Sequence, residues 1–473
     1  MLHIQRAVFA VAATTMLVTS FGCPAREVSK LTPQPTSEVL QEIPIDINRD
    51  LDLLFVIDNS NSMREEQVSL SQNFPRFIEV LEGIEGGLPN VHIGVISTDM
   101  GVGPGNNVSL CNSPDNGNLL GPCSETPENP ECAAIFSTPG DTRKCSGLGT
   151  TDNKPYLQDI LDEESGDRVF NYENGSLVEN FACRATQGIG GCGLEQPLAA
   201  MQAALEGNGN NDGFLRENAF LGIIFITDED DCSAADTSLF TDIESGFVCF
   251  EEGVVCNPDN PTELGLKSEC RPREDSALSA SVSSYVEFVN GLKSDPGRIV
   301  VANISGTLVD NSVTVGLNDN EALEVSPSCQ TNNGVAFPPV RLNAFTNSFR
   351  NNTITEICQE NLEPALDEIA RLIITKIGTR CVPDGIVSVN GIPQCTVNDV
   401  VNPDDEDRVG TPVSMCSSPA NAVAEAPCWY FGADEEDQCT TELKQVLVVE
   451  RNGVVPPVNS RIELRCELEI AEQ

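Results

Sequence analysis

The sequence predicts an α/β fold with a doubly wound, mostly parallel sheet across residues 50–379, because short apolar runs alternate with amphipathic segments. Four runs are typical of strands buried on both faces: Leu53–Ile57, Val91–Thr98, Leu221–Thr227 and Ile299–Ile304. Four segments with apolar residues every three or four positions predict helices: Arg64–Glu85, Glu195–Glu206, Ser276–Leu292 and about Leu362–Ile377. Pro75 should kink or shorten the first helix. Ligands of such sheets bind beyond the carboxyl ends of the strands.

The first strand leads directly into a turn that is rich in oxygen donors. In the run LDLLFVIDNSNSM, the strand is followed by Asp58, Ser60 and Ser62. One carboxylate and two hydroxyls on a single short loop are ligands suited to a hard divalent cation. This spacing predicts a metal site at the end of the first strand.

A second acidic motif, ITDEDDCS, follows the strand Leu221–Thr227. Its first carboxylate is Asp228, and three further acidic residues come directly after it. Adjacent carboxylates repel one another, so a nearby cation would relieve a cost that an empty site must bear. A solvated acidic turn is the alternative. The position at a strand end, opposite Asp58, favours the metal site. Asp99 also follows a strand, but an Asp at that place is more often a turn or a cap.

Taken in order, these two motifs and the intervening VHIGVISTDMG resemble von Willebrand factor type A (vWA) domains. The resemblance implies a Rossmann-like sheet and a metal-ion-dependent adhesion site that holds Mg²⁺, Mn²⁺ or Ca²⁺ through Asp58, Ser60, Ser62 and Asp228. It also implies a protein ligand whose acidic side chain completes the metal's coordination.

The family's site includes a Thr on the loop before the middle helix, and this chain departs from that pattern. The stretch FACRATQGIGGCGLEQPLAAMQAAL resembles the loop of large bacterial vWA lipoproteins, but Ile189 stands where the hydroxyl is expected. Thr186 is the nearest substitute and would need a three-residue slip of the loop. An apolar side chain cannot ligate a cation, so the predicted metal site is degenerate. A water molecule is another candidate for the coordination position that the threonine hydroxyl would occupy.

The amino terminus predicts export to a bacterial cell envelope. Residues 1–22 read as a signal peptide, with Arg6 before the apolar stretch Ala7–Val18, which is too short to span a membrane. Cys23 would be the lipidated first residue of the mature chain, and residues 23–49 a polar tether. Ordinary cleavage after Gly22, giving a secreted protein, is the alternative. The predicted contact with a membrane is through the lipid anchor only.

The chain has 19 cysteines, and lipidation of Cys23 would leave 18 for nine disulfides. Zinc is the less favoured alternative, since the mature chain has His92 as its one histidine and no Cys-x-x-Cys pair. We expect four cysteines to staple an insertion at about 101–180, namely Cys111, Cys123, Cys132 and Cys145. Four others should staple an insertion at about 232–272, namely Cys232, Cys249, Cys256 and Cys270. Such long connections either form binding surfaces or have no specific function.

Residues 380–473 predict a small, disulfide-rich β module that contains the only tryptophan, Trp429, and strand-like runs at Gln445–Glu450 and Arg461–Leu468. The net charge of −45, from 72 acidic and 27 basic residues, argues against nucleic acid as a partner. Common hydrolase and nucleotide-binding motifs are missing. We therefore expect a protein that binds or adheres to a protein ligand and is not an enzyme. A structural envelope protein with a vestigial metal site is the alternative, and a cation-dependent hydrolase a remote one.

Overall fold

The computed structural model describes residues 40–45 and 49–467, with gaps at 84–86, 107, 124–131, 133–134, 136–143, 163–164, 208, 218, 242–245, 294–295, 332–333, 360, 379–381, 383, 402–408, 434–444 and 453–459. The predicted signal peptide, Cys23 and most of the predicted tether lie outside these residues, as do Cys381 and Cys439.

A seven-stranded sheet forms the centre of the larger α/β region. Its strands in chain order are β1 (Asp50–Ile57), β2 (Asn90–Ser97), β3 (Leu157–Leu161), β4 (Arg168–Phe170), β5 (Phe220–Ile226), β6 (Ile299–Ser305) and β7 (Asn352–Glu356). Their order across the sheet is β7-β6-β5-β1-β2-β3-β4. The pairs from β7 to β2 are parallel, whereas β3 and β4 pair antiparallel at one edge. The sheet is therefore mixed and mostly parallel.

Helices cover both faces of this sheet. The helices of the α/β region in chain order are α1 (Arg64–Glu82), α2 (Leu177–Arg184), α3 (Pro197–Leu205), α4 (Phe247–Gly253), α5 (Val282–Gly291), α6 (Val340–Asn347) and α7 (Glu363–Gly378); α4 packs against the small antiparallel sheet described below. Phe55 and Ile57 of β1 pack in one core with α1, α2 and α7. Leu54 and Val56 pack in a second core with α3, α5 and α6. The alternation follows from the two-residue period of side chains along a strand.

The four predicted strands and four predicted helices are all present, with ends shifted by a few residues. The largest shift is at α5, which begins at Val282, six residues after the predicted Ser276. Helix α1 continues beyond Pro75 to Glu82, so the proline does not end it. The apolar spacing did not reveal the short helices α2, α4 and α6 or the edge strands.

The first insertion is only partly stapled as predicted. Cys123 pairs with Cys132 inside it, whereas Cys111 pairs with Cys192 and Cys145 with Cys183, both of which lie outside the insertion. Two disulfides instead tie the insertion to α2 and to the loop that follows it. The insertion also supplies β3 and β4 to the central sheet.

The cysteines of the second insertion pair within it, as predicted, through Cys232–Cys249 and Cys256–Cys270. This segment and residues 313–325 build an antiparallel sheet of four strands: Val254–Asn257, Gly265–Pro272, Val313–Leu317 and Leu323–Val325. A hairpin of Cys329–Thr331 and Gly334–Ala336 follows, and the disulfide Cys329–Cys358 fastens it to the segment after β7.

The carboxyl-terminal region contains a separate six-stranded sheet. Its strands, in order across the sheet, are Leu40–Ile45, Ser460–Glu467, Cys395–Val401, Val409–Met415, Cys428–Ala433 and Gln445–Glu450. Trp429 is buried in its core, and Cys395–Cys466 and Cys416–Cys428 cross-link it. The β character predicted from the sequence is confirmed. One strand, Leu40–Ile45, comes from the segment predicted to be tether.

The chain order of the strands determines where a ligand would bind. From β1 the chain passes through α1 to β2 on one side, and later returns to β5 on the other side. The crossover connections leave β1 in opposite directions, which opens a crevice at its carboxyl end. The loops after β1 and β5 border that crevice.

Candidate metal centre

The loop after β1 gathers the three residues of the Asp-x-Ser-x-Ser motif. Asp58 is completely buried, and its Oδ1 accepts a hydrogen bond of 2.7 Å from the backbone N–H of Ser60. The hydroxyls of Ser60 and Ser62 lie 3.0 Å apart. Ser60 is buried and Ser62 is exposed, so this row of oxygens leads from the interior to the surface.

The loop after β5 brings Asp228 to the same place. The hydroxyl of Thr227 donates to Asp58 Oδ2 at 2.8 Å, which joins the two loops. Asp228 is 1% exposed and accepts a hydrogen bond from the Ser62 hydroxyl, while its Oδ1 has no partner. Asp58, Ser60, Ser62 and Asp228 therefore form one cluster, as the sequence predicted.

Three further carboxyl groups surround this cluster, and the sequence reasoning did not select them as site residues. Glu66 lies in the first turn of α1, Glu195 precedes α3, and Glu229 follows Asp228. Glu195 and Glu229 are joined by a hydrogen bond between their side chains. Two features of the sequence could have indicated these residues: Glu229 lies in the acidic run, and Glu195 lies just before a helix that begins with a proline. Both positions are also typical of acidic residues that are solvated or that cap a helix.

Burial raises the pKa of every carboxyl group in this cluster. It raises the pKa of Asp228 to about 9, with the charges of Asp58 and Glu229 adding to the effect. It raises the pKa of Glu66 and of Glu229 to about 7. The pKa of Asp58 is also raised by burial, against hydrogen bonds from Ser60 and Thr227, and that of Glu195 is raised well above its ordinary value. Concentrated negative charge is thus costly here.

The donor atoms of this cluster fit a hard cation. Three carboxylate oxygens, one each on Glu66, Glu195 and Asp228, are buried without a hydrogen-bond partner, which is uncommon in folded proteins. Within the described part of the chain, no Lys, Arg or His forms an ion pair with Asp58 or Asp228. No three carboxylates of the cluster converge within 4.8 Å of one another among these residues. Coordination would therefore depend on the two serine hydroxyls together with the carboxylates.

The remaining acids of the DEDD run have structural roles. Asp230 accepts the backbone N–H groups of Arg341 and Leu342 at the start of α6, at 3.0 Å and 3.1 Å. Asp231 forms a completely buried ion pair of 2.8 Å with the Arg341 guanidinium. It also accepts from the N–H of Leu198 in α3. Only the first half of the run faces the cluster.

The loop between α2 and α3 is fastened to the loop after β1. The side chain of Gln67 donates to the carbonyl oxygens of Asp58 and Gly188, at 2.9 Å and 2.8 Å. The amide of Gly191 donates to the Asn59 carbonyl at 2.9 Å, and a Cβ atom at position 191 would lie 2.0 Å from Asn59 Oδ1. Glycine at 191 is thus needed for the close approach of the two loops.

The two residues considered for the family's threonine position both have contacts with neighbouring parts of the chain. The Thr186 hydroxyl is buried and donates to the Ala182 carbonyl at 3.0 Å, as part of the end of α2. Ile189 packs in a small apolar cluster with Val68 and Ile135. The side chain at 189 therefore contributes packing.

Asp99 caps its own turn, in agreement with the structural interpretation of the sequence. Its Oδ1 accepts from the N–H of Gly101 at 2.9 Å, and its Oδ2 accepts from the N–H of Cys192 at 3.3 Å.

Another group of possible metal ligands lies elsewhere among the described residues and consists of Cys329, Glu356 and Cys358. Because Cys329 and Cys358 form a disulfide, this group has no free thiolate to bind a metal ion.

Comparison with known proteins identifies no family. No family model matches the chain, and no curated protein sequence matches it. Among solved structures, it is similar to the pilus adhesin SpaC from Lactobacillus rhamnosus GG in two crystal forms, one of them an open conformation. Both have a TM-score of 0.30 and 10% identity over 89% of this chain. The chain spans 40% and 39% of those two adhesin chains. A TM-score this low does not define the fold.

Proposed function

We propose that the protein is a cell-envelope member of the vWA family that binds a protein ligand through a divalent cation at the carboxyl ends of β1 and β5. The observation that carries this proposal is the buried pair Asp58 and Asp228, joined to Ser60 and Ser62, with no basic side chain in ion-pair contact among the described residues. The position of the pair at the strand-order reversal supports the same conclusion.

The cation would be Mg²⁺, Mn²⁺ or Ca²⁺, since all the available donors are oxygens. When bound, it would supply positive charge to the crevice and attract an acidic side chain of the partner. Asp58 and Asp228 would hold it from the buried side, and Ser60 and Ser62 from the loop. Because Ser62 is exposed, the partner would approach from the side of this residue. The sequence carries none of the common hydrolase or nucleotide-binding motifs, so we propose binding and not catalysis.

An extracytoplasmic location agrees with the cysteine chemistry. Sixteen cysteines form eight disulfides among the described residues, which is typical of proteins that fold in an oxidising compartment. No described helix combines the length and apolar character needed to cross a membrane.

Anchoring through lipidated Cys23 remains a prediction. Cys23→Ser should release the full-length protein from membranes without unfolding it, and continued membrane association would contradict this anchor.

Metal binding can be tested by calorimetric titration of the full mature chain with Mn²⁺, Mg²⁺ and Ca²⁺. Asp58→Ala should abolish binding, and Ser62→Ala should weaken it. Asp212→Ala is a matched control, because it removes the same charge from an exposed position outside the cluster. A wild-type protein that binds none of these ions at millimolar concentration would rule out the metal-dependent function. Capture of a partner from envelope extract should likewise be lost with a chelator.

A structural envelope protein with a vestigial site is the second candidate, and one observation favours it. Ile189 occupies the expected threonine position and packs against Val68 and Ile135, while the Thr186 hydroxyl donates to Ala182. The metal would then lack one protein hydroxyl. Partner capture that does not change when the chelator is added would favour this candidate.

A further inference from the structure

A cavity of about 300 Å³ lies beside the cluster of carboxyl groups at the candidate metal centre. Its lining includes Glu195 and Glu229, which we call the base, and four residues that we call the walls: Phe247 and Phe250 of α4, Phe337, and Glu324 of the small antiparallel sheet. None of these wall residues belongs to the proposed metal site. The volume is at the lower end of the range for pockets that hold small ligands.

The base of this cavity has an unused polar atom. Glu195 is 1% exposed, and its Oε1 has no hydrogen-bond partner although it is buried. The other contact of this side chain is the hydrogen bond to Glu229. Leaving a carboxyl oxygen buried and unpartnered costs free energy, which a ligand that donates a hydrogen bond would recover.

Two other acids that line the cavity are already satisfied. Asp230 accepts the backbone N–H groups at the start of α6, and Asp231 is paired with Arg341. The carboxyl groups left for a ligand are therefore those of Glu195 and Glu229 at the base and Glu324 in the wall. All of these groups favour a cation over an anion.

The walls of the cavity are aromatic and are held in place. The rings of Phe247 and Phe250 have centroids 5.6 Å apart and planes inclined by 46°. Helix α4, which carries both rings, is linked by the disulfide Cys249–Cys232 to the loop after Glu229. Aromatic faces attract cations, and apolar walls exclude a strongly hydrated metal ion.

We propose that this cavity binds an organic cation, an alkylammonium or guanidinium group, whose N–H groups donate to Glu195 and Glu229 while its carbon chain packs against Phe247 and Phe250. This binding does not use Asp58, Ser60, Ser62 or Asp228, so it does not require a bound metal ion. The cation can be a free small molecule or a basic side chain of a protein, since both present the same chemistry to the cavity.

The proposal is tested by calorimetric titration of the full mature chain, with EDTA present so that metal binding does not contribute. The probes are n-butylammonium, a short acetylated and amidated Gly-Lys-Gly peptide, and neutral n-butanol. Saturable binding of either cation with no binding of n-butanol is the expected result. Binding of butylammonium without the peptide identifies a free small molecule as the ligand, whereas tighter binding of the peptide identifies a protein side chain.

Variants locate the binding. Glu195→Gln should weaken butylammonium binding by about tenfold or more, because a bound cation favours the ionised carboxylate and the glutamine amide cannot ionise. Phe250→Leu keeps an apolar wall but removes the aromatic face, and should weaken it by about threefold. Glu287→Gln on the exposed face of α5 makes the same charge change outside the cavity and should have no effect.

Thermal melting of each variant checks that it is folded. The proposal is overturned if neither cation binds at millimolar concentration, or if Glu287→Gln reduces binding as much as Glu195→Gln does. Because EDTA is present throughout, organic-cation binding in a protein that fails to bind Mn²⁺ would support this site and reject only the metal-dependent function.

Discussion

A completely buried aspartate lies near each end of strand β1, and the two differ in the charge of the groups around them. Asp52, near the amino end, has two basic partners: Arg216 Nε at 2.8 Å and Lys293 Nζ at 4.0 Å. Asp58, just past the carboxyl end, has hydrogen bonds from Ser60 and Thr227 but acidic neighbours. The protein thus supplies its own cations at one end of the sheet and none in ion-pair contact with Asp58 at the other.

The pKa values reflect this difference. Burial raises the pKa of Asp52 to about 6, and the charge of Arg216 limits the rise. At the other end, burial together with the charges of Asp58 and Glu229 raises the pKa of Asp228 to about 9. A buried carboxylate with no protein cation needs a proton or an external cation. The carboxyl end of β1 is therefore built at a cost to stability, as is common for binding sites.

Removing the guanidinium group of Arg216, at the amino end of β1, should have the largest effect on stability. Arg216→Met would leave Asp52 buried with Lys293 as its remaining basic partner, and should lower the free energy of unfolding by about 3–5 kcal/mol. Denaturant titration measures the change. Asp58→Ala is the matched variant at the other end, and should cost no more than about 1 kcal/mol because it removes an uncompensated charge together with its hydrogen bonds. Equal losses for the two variants would contradict the comparison.

Removing the disulfide that holds the loop between α2 and α3 should have the next largest effect. The double variant Cys111→Ser with Cys192→Ser should lose about 2–5 kcal/mol of stability and should also weaken Mn²⁺ binding, since Cys192 follows the Gly191 contact with Asn59. Cys395→Ser with Cys466→Ser is the control in the carboxyl-terminal sheet. It should cost stability without changing Mn²⁺ affinity, and a similar loss of affinity there would reject the local effect.

The metal-free protein should lose stability as the pH rises. Asp228, Glu66 and Glu229 have pKa values of about 9, 7 and 7 when folded, above the ordinary values near 4 that they have when unfolded. Between about pH 4 and pH 9 the folded state therefore holds more protons, and its extra stability is lost as the pH rises through the folded pKa values. The free energy of unfolding in EDTA should fall by several kcal/mol from pH 5 to pH 8, because each extra proton that the folded state holds contributes about 1.4 kcal/mol per pH unit.

Two comparisons attribute this pH dependence to the cluster. Asp228→Asn should flatten the profile, because the amide needs no proton, and saturating Mn²⁺ should flatten it in the wild type by replacing the protons. Asp275→Asn, at an exposed position, should keep the wild-type slope. An Asp228→Asn profile as steep as that of the wild type would show that other groups are responsible.

Substitution at Ile189 should have the smallest effect. The resemblance of this loop to that of vWA lipoproteins predicts that Ile189→Thr strengthens metal binding, whereas the packing of Ile189 with Val68 and Ile135 predicts a stability loss of about 1 kcal/mol and unchanged affinity. Ile189→Val is the control that keeps the apolar contact. Calorimetry with Mn²⁺ distinguishes the two expectations, and a gain in affinity for the threonine variant would support the resemblance.

The sequence predicted those features that depend on local periodicity. The apolar runs located β1, β2, β5 and β6, and the three-to-four spacing located α1, α3, α5 and α7. Asp58, Ser60, Ser62 and Asp228 could be placed together because parallel strands end at the same edge of a sheet. The antiparallel strands β3 and β4, within the first insertion, have no such distinctive signal.

Other features depend on contacts between residues far apart in the chain. The pairing of Cys111 with Cys192 closes a separation of 81 residues, and cysteine spacing does not determine it. Likewise, the sequence presents Glu229, Asp230 and Asp231 as equivalent acids. Only folding turns Glu229 towards Glu195, and turns Asp230 and Asp231 towards α6 and Arg341.

By itself, the sequence determined that an α/β region with a mostly parallel sheet carries oxygen ligands at the end of its first strand, because hydrophobic periodicity and short motifs are local properties. The tertiary structure alone decided which buried charges are compensated. Asp52 meets Arg216 across 164 residues of chain, while Asp58 meets Asp228 and other acids. Electrostatic free energy depends on distance in space and on burial, and neither of these can be read from positions along the chain.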